Sequence, residues 1–223
     1  METLIRSFFN LDILAQAWPI LLSGFWMTVL LTLVVVPLGT FGGLAVALVS
    51  TSRNAFARAA VVLYVDFFRA FPPLVLLMVV AYGLPFLDIR LGAFGSVALA
   101  FLLNTSSYYG EIFRAGIESI PRGQTEAARS TGLSALQTLT YVVVPQATRN
   151  VTPDLVSNTL EVIKLTSIAS VVALPELLFA ARQAQSLTYN ATPIIAAGII
   201  YLVCLWPLVR LLSRFEHRQI ALH

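Results

Sequence analysis

The sequence predicts an all-α polytopic membrane protein, on the evidence of its composition and of how its apolar residues are distributed. Of the 223 residues, 58% are hydrophobic and only 11% are charged, whereas a soluble domain carries about 25% charged residues. The apolar residues form long continuous runs, whereas a transmembrane β-barrel is built from short alternating segments. We therefore expect one compact helical membrane domain.

Five segments have about the 20 apolar residues that a helix needs to cross a bilayer. Their approximate limits are residues 20–49, 60–82, 94–117, a stretch within 155–181, and 193–212. Pro37 is the residue at which the first segment would kink, and Arg69 with Pro72 and Pro73 interrupts the second.

Arginines alternate between the connecting segments, which predicts the orientation of the chain. The basic residues after the first, third and fifth segments are Arg53 and Arg58; Arg122, Arg129 and Arg149; and Arg210, Arg214 and Arg218. The segments after the second and fourth offer only Arg90 and, at a boundary, Arg182. The positive-inside rule then places the N-terminus in the periplasm and the C-terminus in the cytoplasm, as five spans require. The small basic excess thus reflects membrane orientation rather than nucleic-acid binding.

Several kinds of chemistry are not supported by the sequence. Cys204 is the single cysteine, so no intrachain disulfide forms. His217 and His223 lie in the tail, and we expect no metal site. Lys164 is the only lysine and no glycine-rich phosphate loop precedes it, so we expect no ATP site on this chain. An enzyme would need a nucleophile–base pair or a metal cluster, and neither is visible.

A polar insert at about residues 119–150 separates the third and fourth segments. Pro121 marks a helix start, and Gly132 predicts its end in a left-handed cap. Ser134 and Gln137 have the spacing of a capping box that begins a second helix. Pro145 is expected to interrupt the pattern again. The prediction is a helix, a tight turn and a second helix on the cytoplasmic side.

The first helix of the insert carries Glu126, Ala127 and Ala128, which give it a narrow surface with one charge. Another protein's groove can approach such a backbone closely, and Glu126 can pair with an arginine there. The alternative is an amphipathic helix lying on the lipid surface. Shape alone leaves both interpretations open.

The insert resembles the EAA loop of permease subunits in bacterial ATP-binding-cassette importers. The matching residues are Glu126, Ala127, Ala128, Gly132 and Pro145, although Val142 and Val144 stand where the family usually has Ile and Leu. Further stretches resemble the polar amino acid uptake branch of that family: residues 111–117, 120–124, 145–147 and 175–178. The similarity extends over nearly the whole chain beyond about Ser23.

The resemblance implies a type I importer permease fold in which the insert is a coupling helix. Its expected partners are cytoplasmic ATPase subunits, a second permease subunit, a periplasmic solute-binding protein and membrane lipid. ATP and Mg would be bound by the ATPase, with no cofactor on this chain. The expected organisation is a periplasmic segment 1–19, a permease domain 20–212 and a cytoplasmic tail 213–223, in the bacterial inner membrane.

Ionisable residues at membrane depth are costly and are therefore candidates for function. Arg69, Thr105, Ser106 and Glu111 are candidates to line a substrate path. The alternatives are a packing kink with Arg69 reaching toward the interface, close helix packing by the hydroxyl residues, and an i,i+3 pair of Glu111 with Arg114.

A second group of candidates lies in the fourth segment. Glu161 and Lys164 form either an internal ion pair or a site for the two charges of an amino acid. Asn158, Thr166 and Ser167 would face the same path. The family commonly has an acid where this chain has Leu165, which weakens the implied preference for a cationic side chain. The alternative is that the site is only a passage and that a separate binding protein sets the selectivity.

The resemblance therefore implies the permease subunit of a polar amino acid importer. We expect it to work as a dimer, because five spans leave little room for a path through one chain. A compatible solute or an opine remains an alternative cargo. A secondary transporter is a rival class, but it would have more spans and internal repeats.

Overall fold

The computed structural model describes the backbone of residues 7–52 and 54–220, with side chains up to Leu211. Arg53, His223 and the side chains of Arg214, His217 and Arg218 lie outside the described residues. All regular structure in the described part is helical, which confirms the predicted fold class.

Nine α-helices follow one another in the described part of the chain. They are α1 (Leu11–Ser50), α2 (Ala55–Ala70), α3 (Pro73–Met78), α4 (Gly92–Glu118), α5 (Arg122–Ser130), α6 (Ala135–Thr138), α7 (Val144–Leu165), α8 (Leu177–Thr188) and α9 (Thr192–Ile220). π-Helical turns occur at Val79–Gly83 and Leu139–Val143, and 3-10 segments at Leu84–Leu87 and Thr166–Val172.

Three helical stretches in the described part are long and apolar enough to cross a membrane: Leu11–Ser50, Ala135–Val172 and Thr192–Leu211. A fourth span results if Ala55–Ala70 and Pro73–Leu87 are taken together across their break. Helix α4, at 27 residues, is also long enough, but polar residues between Asn104 and Glu111 lower its hydropathy. The number of five spans therefore stays a prediction.

The expectation that Pro145 interrupts the helix was wrong. Helical structure continues from Ala135 to Val172. Pro145 is the second residue of α7 and directly follows the π-helical turn, where the Val144 N–H donates to the Leu139 carbonyl. A proline is tolerated at such a position because it lies in the first turn after the change of helix type. Similarly, α1 begins at Leu11, earlier than the predicted apolar run, and continues through Pro37.

The chain divides into two compact units, which are described separately. Unit 1 comprises the residues up to Val36, Pro73–Ala100 and those from Leu160 onward. Its core brings together α1, α8 and α9, with Ala17, Leu21, Leu177, Ala181, Ala184 and Ala197 all buried. The Thr28 hydroxyl accepts a hydrogen bond of 3.0 Å from the Leu177 N–H, which ties α1 to the start of α8.

Unit 2 comprises Pro37–Pro72 and Phe101–Thr159. Here the C-terminal part of α1 packs so closely against α4 that the two helix backbones are nearly in contact. A Cβ on Gly43 would lie 2.4 Å from the Tyr109 Cβ and 2.7 Å from the Gly110 nitrogen. Small residues permit this approach between helices in lipid, where van der Waals contact replaces the hydrophobic effect as the driving force.

We predict that Gly43→Ala destabilises the folded chain by about 1–3 kcal/mol, because the added methyl overlaps α4. For a protein of this size each kcal/mol corresponds to about 2–4 °C in the unfolding temperature. Gly198→Ala is the matched control, since nothing lies within 4 Å of a Cβ there. Thermal unfolding in detergent measures both variants. An unchanged unfolding temperature for Gly43→Ala would contradict the close packing of α1 and α4.

Candidate functional site

The insert between α4 and α7 folds as a hairpin of two short helices, α5 and α6. At the end of α5, the Thr131 N–H donates to the Ala127 carbonyl at 3.2 Å and the Gly132 N–H to the Arg129 carbonyl at 3.1 Å. Gly132 has φ of +87°, which confirms the predicted left-handed cap.

The turn is closed from its other side by the predicted capping box. The Gln137 N–H donates to the Ser134 hydroxyl at 3.2 Å, and the Ser134 N–H donates to Oε1 of Gln137 at 2.8 Å. The Arg129 guanidinium donates to the Leu133 carbonyl at 2.7 Å. Because α5 also contacts α6 and the π-helical turn, the hairpin has one defined shape.

The outer face of α5 carries the residues of the sequence motif. Glu126 and Ala127 are exposed, as are Gly132 and Pro145 beyond the helix, whereas Ala128 packs inward. An amphipathic helix that binds lipid presents large apolar side chains such as Trp, Phe or Leu. Helix α5 has no apolar residue larger than alanine. The composition of α5 therefore favours contact with a protein over insertion into lipid.

In unit 2, side chains of α4 hold the C-terminal end of α2. The Asn104 amide donates to the Phe68 carbonyl at 3.1 Å, and the Tyr108 ring lies 5.4 Å from the Arg69 guanidinium. Carbonyls in the last turn of a helix have no partner within the helix. The α4 side chains supply one here and fix the position of Arg69.

Glu111 is engaged by Arg114 through two hydrogen bonds, of 2.9 Å to Nε and 2.5 Å to Nη2. Arg114 also pairs with Glu118 at 2.6 Å. The i,i+3 pair considered as an alternative from the sequence is thus present. The assignment of Glu111 to a substrate path stays a prediction.

Thr105 and Ser106 are both buried in unit 2. The Thr105 hydroxyl donates to the Phe101 carbonyl at 2.6 Å, and the Ser106 hydroxyl lies 2.7 Å from that of Tyr64. Both hydroxyls therefore have partners inside the helix packing. Their assignment to a substrate path stays a prediction.

Glu161 and Lys164 of α7 form an ion pair of 2.5 Å, in which 66% of the Glu161 side chain and 50% of the Lys164 side chain are exposed. The Ser167 hydroxyl donates to the Lys164 carbonyl at 2.8 Å. The two charged side chains are thus paired with each other, yet both are open to contact from outside the chain.

Two further candidates, Asn158 and Thr166, differ in whether their side chains have hydrogen-bond partners. Thr166 is fully buried and its hydroxyl donates to the Ile163 carbonyl at 2.6 Å. The Asn158 side-chain nitrogen is buried and has no hydrogen-bond partner among the described residues. Of the two, only Asn158 keeps an unused donor.

The sequence reasoning missed Asp66 and the structural role of Glu176. Asp66 is exposed on α2, one turn before Arg69, and an ionisable residue within a predicted span was the available signal. Glu176 is fully buried and caps α8, accepting hydrogen bonds of 2.8 Å from the N–H groups of Leu178 and Phe179. A carboxylate directly before an apolar helical run is the corresponding signal.

Apolar helices long enough to span a membrane, with a capped and exposed hairpin between α4 and α7, define a membrane-embedded subunit. The chain belongs to the family of inner membrane components of binding-protein-dependent transport systems, whose model matches residues 36–220. The resemblance noted in the sequence is thereby confirmed. Members of this family work with ATPase and solute-binding subunits.

Individual relatives agree with this assignment. The chain is 34% identical over 198 residues to the probable amino-acid ABC transporter permease protein YckA of Bacillus subtilis (strain 168), covering 88% of each chain. It is 35% identical over 209 residues to the L-cystine transport system permease protein TcyB of the same organism, covering 92% of this chain and 88% of the relative.

A solved structure is similar over nearly the whole chain. The crystal structure of an amino acid ABC transporter with histidines matches with a TM-score of 0.84 and 34% identity, covering 92% of this chain and 96% of the other. The permease fold expected from the resemblance is confirmed.

We predict that Gly132→Ala loosens the turn, because a non-glycine residue in the left-handed region costs about 1–2 kcal/mol. Gly123→Ala is the matched control: neither glycine has an atom within 4 Å of the added Cβ, and only Gly132 has positive φ. Hydrogen exchange of the amides of residues 131–137 should be faster in Gly132→Ala and unchanged in Gly123→Ala. Equal exchange in Gly132→Ala and the unsubstituted chain would contradict this account.

Proposed function

We propose that this chain is the permease subunit of an ATP-driven importer that moves a polar amino acid, or a similar small zwitterion, across the bacterial inner membrane by alternating access. The observation that carries the proposal is the outer face of α5, where Glu126 and Ala127 are exposed on a capped helix without an apolar anchor. The names of the relatives, an amino-acid permease and an L-cystine permease, support the class of cargo.

The orientation follows from the arginine distribution: the N-terminus is periplasmic, and the insert and the C-terminus are cytoplasmic. A second copy or a sister permease completes the path within the lipid bilayer. Two ATPase subunits bind the two inserts, and a periplasmic binding protein delivers the solute. ATP and Mg are held by the ATPases, and this chain performs no catalysis and binds no cofactor or nucleic acid.

Helix α5 couples the ATPase to the spans. Its exposed alanine lets a groove of the partner approach the backbone, and Glu126 pairs with a basic side chain there. The turn at Gly132 is held by hydrogen bonds on both sides, so a displacement of α5 reaches α7 as rigid-body motion. Pro145, next to the π-helical turn, lies at the point where the hairpin joins α7.

The charged pair on α7 is suited to an amino acid. During passage, the carboxylate of the amino acid would contact Lys164 and its ammonium group Glu161, once the ion pair of 2.5 Å between these two side chains has opened. The unpartnered Asn158 side-chain nitrogen is available as a further donor. We also assign Ser167 and Thr166 to the path, although the Thr166 side chain is fully buried in this structure. We assign Arg69, Thr105, Ser106 and Glu111 to the path as well.

We predict that Glu126→Lys leaves the chain folded but lowers ATP-driven uptake at least tenfold. Removing one partner of a buried charge pair at an interface costs about 2–5 kcal/mol, and a reversed charge adds repulsion to that loss. Asp154→Lys is the control, since Asp154 is an exposed acid of α7 outside the insert. The measurement is uptake of labelled L-glutamine and L-cystine by proteoliposomes that contain the permease, its ATPase and its binding protein.

Size-exclusion chromatography establishes that each variant is folded. Glu126→Gln should fall between the unsubstituted chain and Glu126→Lys, because it removes the charge without creating repulsion. Normal uptake by Glu126→Lys would refute the docking role of α5.

A further inference from the structure

Unit 2 contains a cavity of about 170 Å³ whose lining is partly charged. By the same measure a single water molecule needs about 10–15 Å³, so the cavity has room for a small solute. The charged residues that line it are Asp66 and Arg69 of α2 and Glu111 and Arg114 of α4, and valines such as Val61 and Val65 form its apolar wall.

The four charged side chains of this cavity differ in whether they already form an ion pair or a hydrogen bond. Glu111 and Arg114 are bound to each other by two hydrogen bonds of 2.9 and 2.5 Å. Asp66, by contrast, makes no hydrogen bond or ion pair with any residue in the described part of the chain. Arg69 is held over the Tyr108 ring at 5.4 Å and pairs with no carboxylate within ion-pair distance among the described residues.

Asp66 and Arg69 thus form an open pair of opposite charges. They stand three residues apart on one helix, where side chains begin about 5–6 Å from each other. Glu161 and Lys164 have the same spacing but have closed into an ion pair of 2.5 Å. A ligand at Glu161 and Lys164 must first break that pair, whereas no such pair has to break at Asp66 and Arg69.

The location of Asp66 suits a transport site. Asp66 follows the first residue of α2 by eleven positions, which is about 16 Å along the helix axis. That distance is about half of the 30 Å hydrocarbon core. Transporter sites are typically found near the midplane, on helices that are broken there, and α2 ends at the Phe71–Pro72 break.

We infer that Asp66 and Arg69 form a binding site for an amino acid of zero net charge, with the ammonium group on Asp66 and the carboxylate on Arg69. Two carboxylates and two guanidinium groups line the cavity, so its net charge is zero. A solute with a net charge would leave one charge uncompensated at membrane depth, which is costly. A zwitterion adds one charge of each sign and matches the open pair. This inference rests on the proposed importer function and specifies its substrate class.

The test is equilibrium binding of labelled L-glutamine, L-glutamate and L-arginine to the purified permease–ATPase complex, without the binding protein. We expect the unsubstituted complex to prefer L-glutamine. Asp66→Asn should weaken L-glutamine binding at least tenfold, and Asp66→Glu should restore most of it. Asp154→Asn, an exposed aspartate outside the cavity, should bind as the unsubstituted chain does.

A second readout separates a binding role from a structural one. Asp66→Asn gives the cavity a net positive charge, so the ratio of L-glutamate to L-glutamine binding should rise. Unchanged L-glutamine binding in Asp66→Asn, or a preference of the unsubstituted complex for L-arginine or L-glutamate, would overturn the inference.

ATP-driven uptake of L-glutamine, L-glutamate and L-arginine by the complete transporter is measured in parallel. Uptake with unchanged binding in Asp66→Asn refutes only the Asp66 site, whereas absence of uptake for these three amino acids and for L-cystine refutes the proposed amino acid importer function.

Discussion

The hydrogen-bonded turn from Thr131 to Gln137 is the constraint on which the functional account depends. Helix α5 has nine residues, and an isolated helix of that length is marginal in water. The Gly132 cap, the Ser134 capping box and the bond from Arg129 to Leu133 hold α5 to the start of α6. If α5 were mobile relative to α6, a displacement of α5 by a partner would not reach α7. Because the hydrogen-bonded turn fixes α5, such a displacement is transmitted to α7.

Within the spans, a different constraint decides which polar groups are available for binding. Lipid offers no hydrogen bonds, so polar groups there find partners inside the protein. Asn104 and Ser106 do so by hydrogen bonds to the neighbouring helix α2, and Thr105 does so by a bond to a carbonyl of its own helix α4. Asp66 and the Asn158 amide have no such partners among the described residues. The potential for ligand recognition is therefore concentrated in a few side chains.

Local rules explain which features the sequence could predict. The left-handed cap at Gly132, the capping box at Ser134 and the ion pairs of Glu111 and Glu161 all depend on residues within four positions of each other. The predicted helix interruption at Pro145 was wrong because the preceding π-helical turn, which accommodates the proline, has no clear sequence signature.

Contacts between distant segments required the structure. The sequence does not indicate that Gly43 meets Tyr109, or that Asp66 and Glu111 line one cavity. Such pairings depend on how helices far apart in the chain pack together, and one sequence does not specify them.

The most direct test of the coupling account is the environment of residue 127 in the assembled transporter. Cys204→Ala removes the single cysteine, so that Ala127→Cys can be labelled alone. Leu202→Cys serves as a lipid-facing control, since Leu202 is an exposed residue of a spanning helix. The account predicts that a short cross-linker joins position 127 to the ATPase and that a lipid-dissolved quencher does not reach a fluorophore there. A fluorophore at 127 that is quenched as strongly as one at 202, with no cross-link to the ATPase, would contradict it.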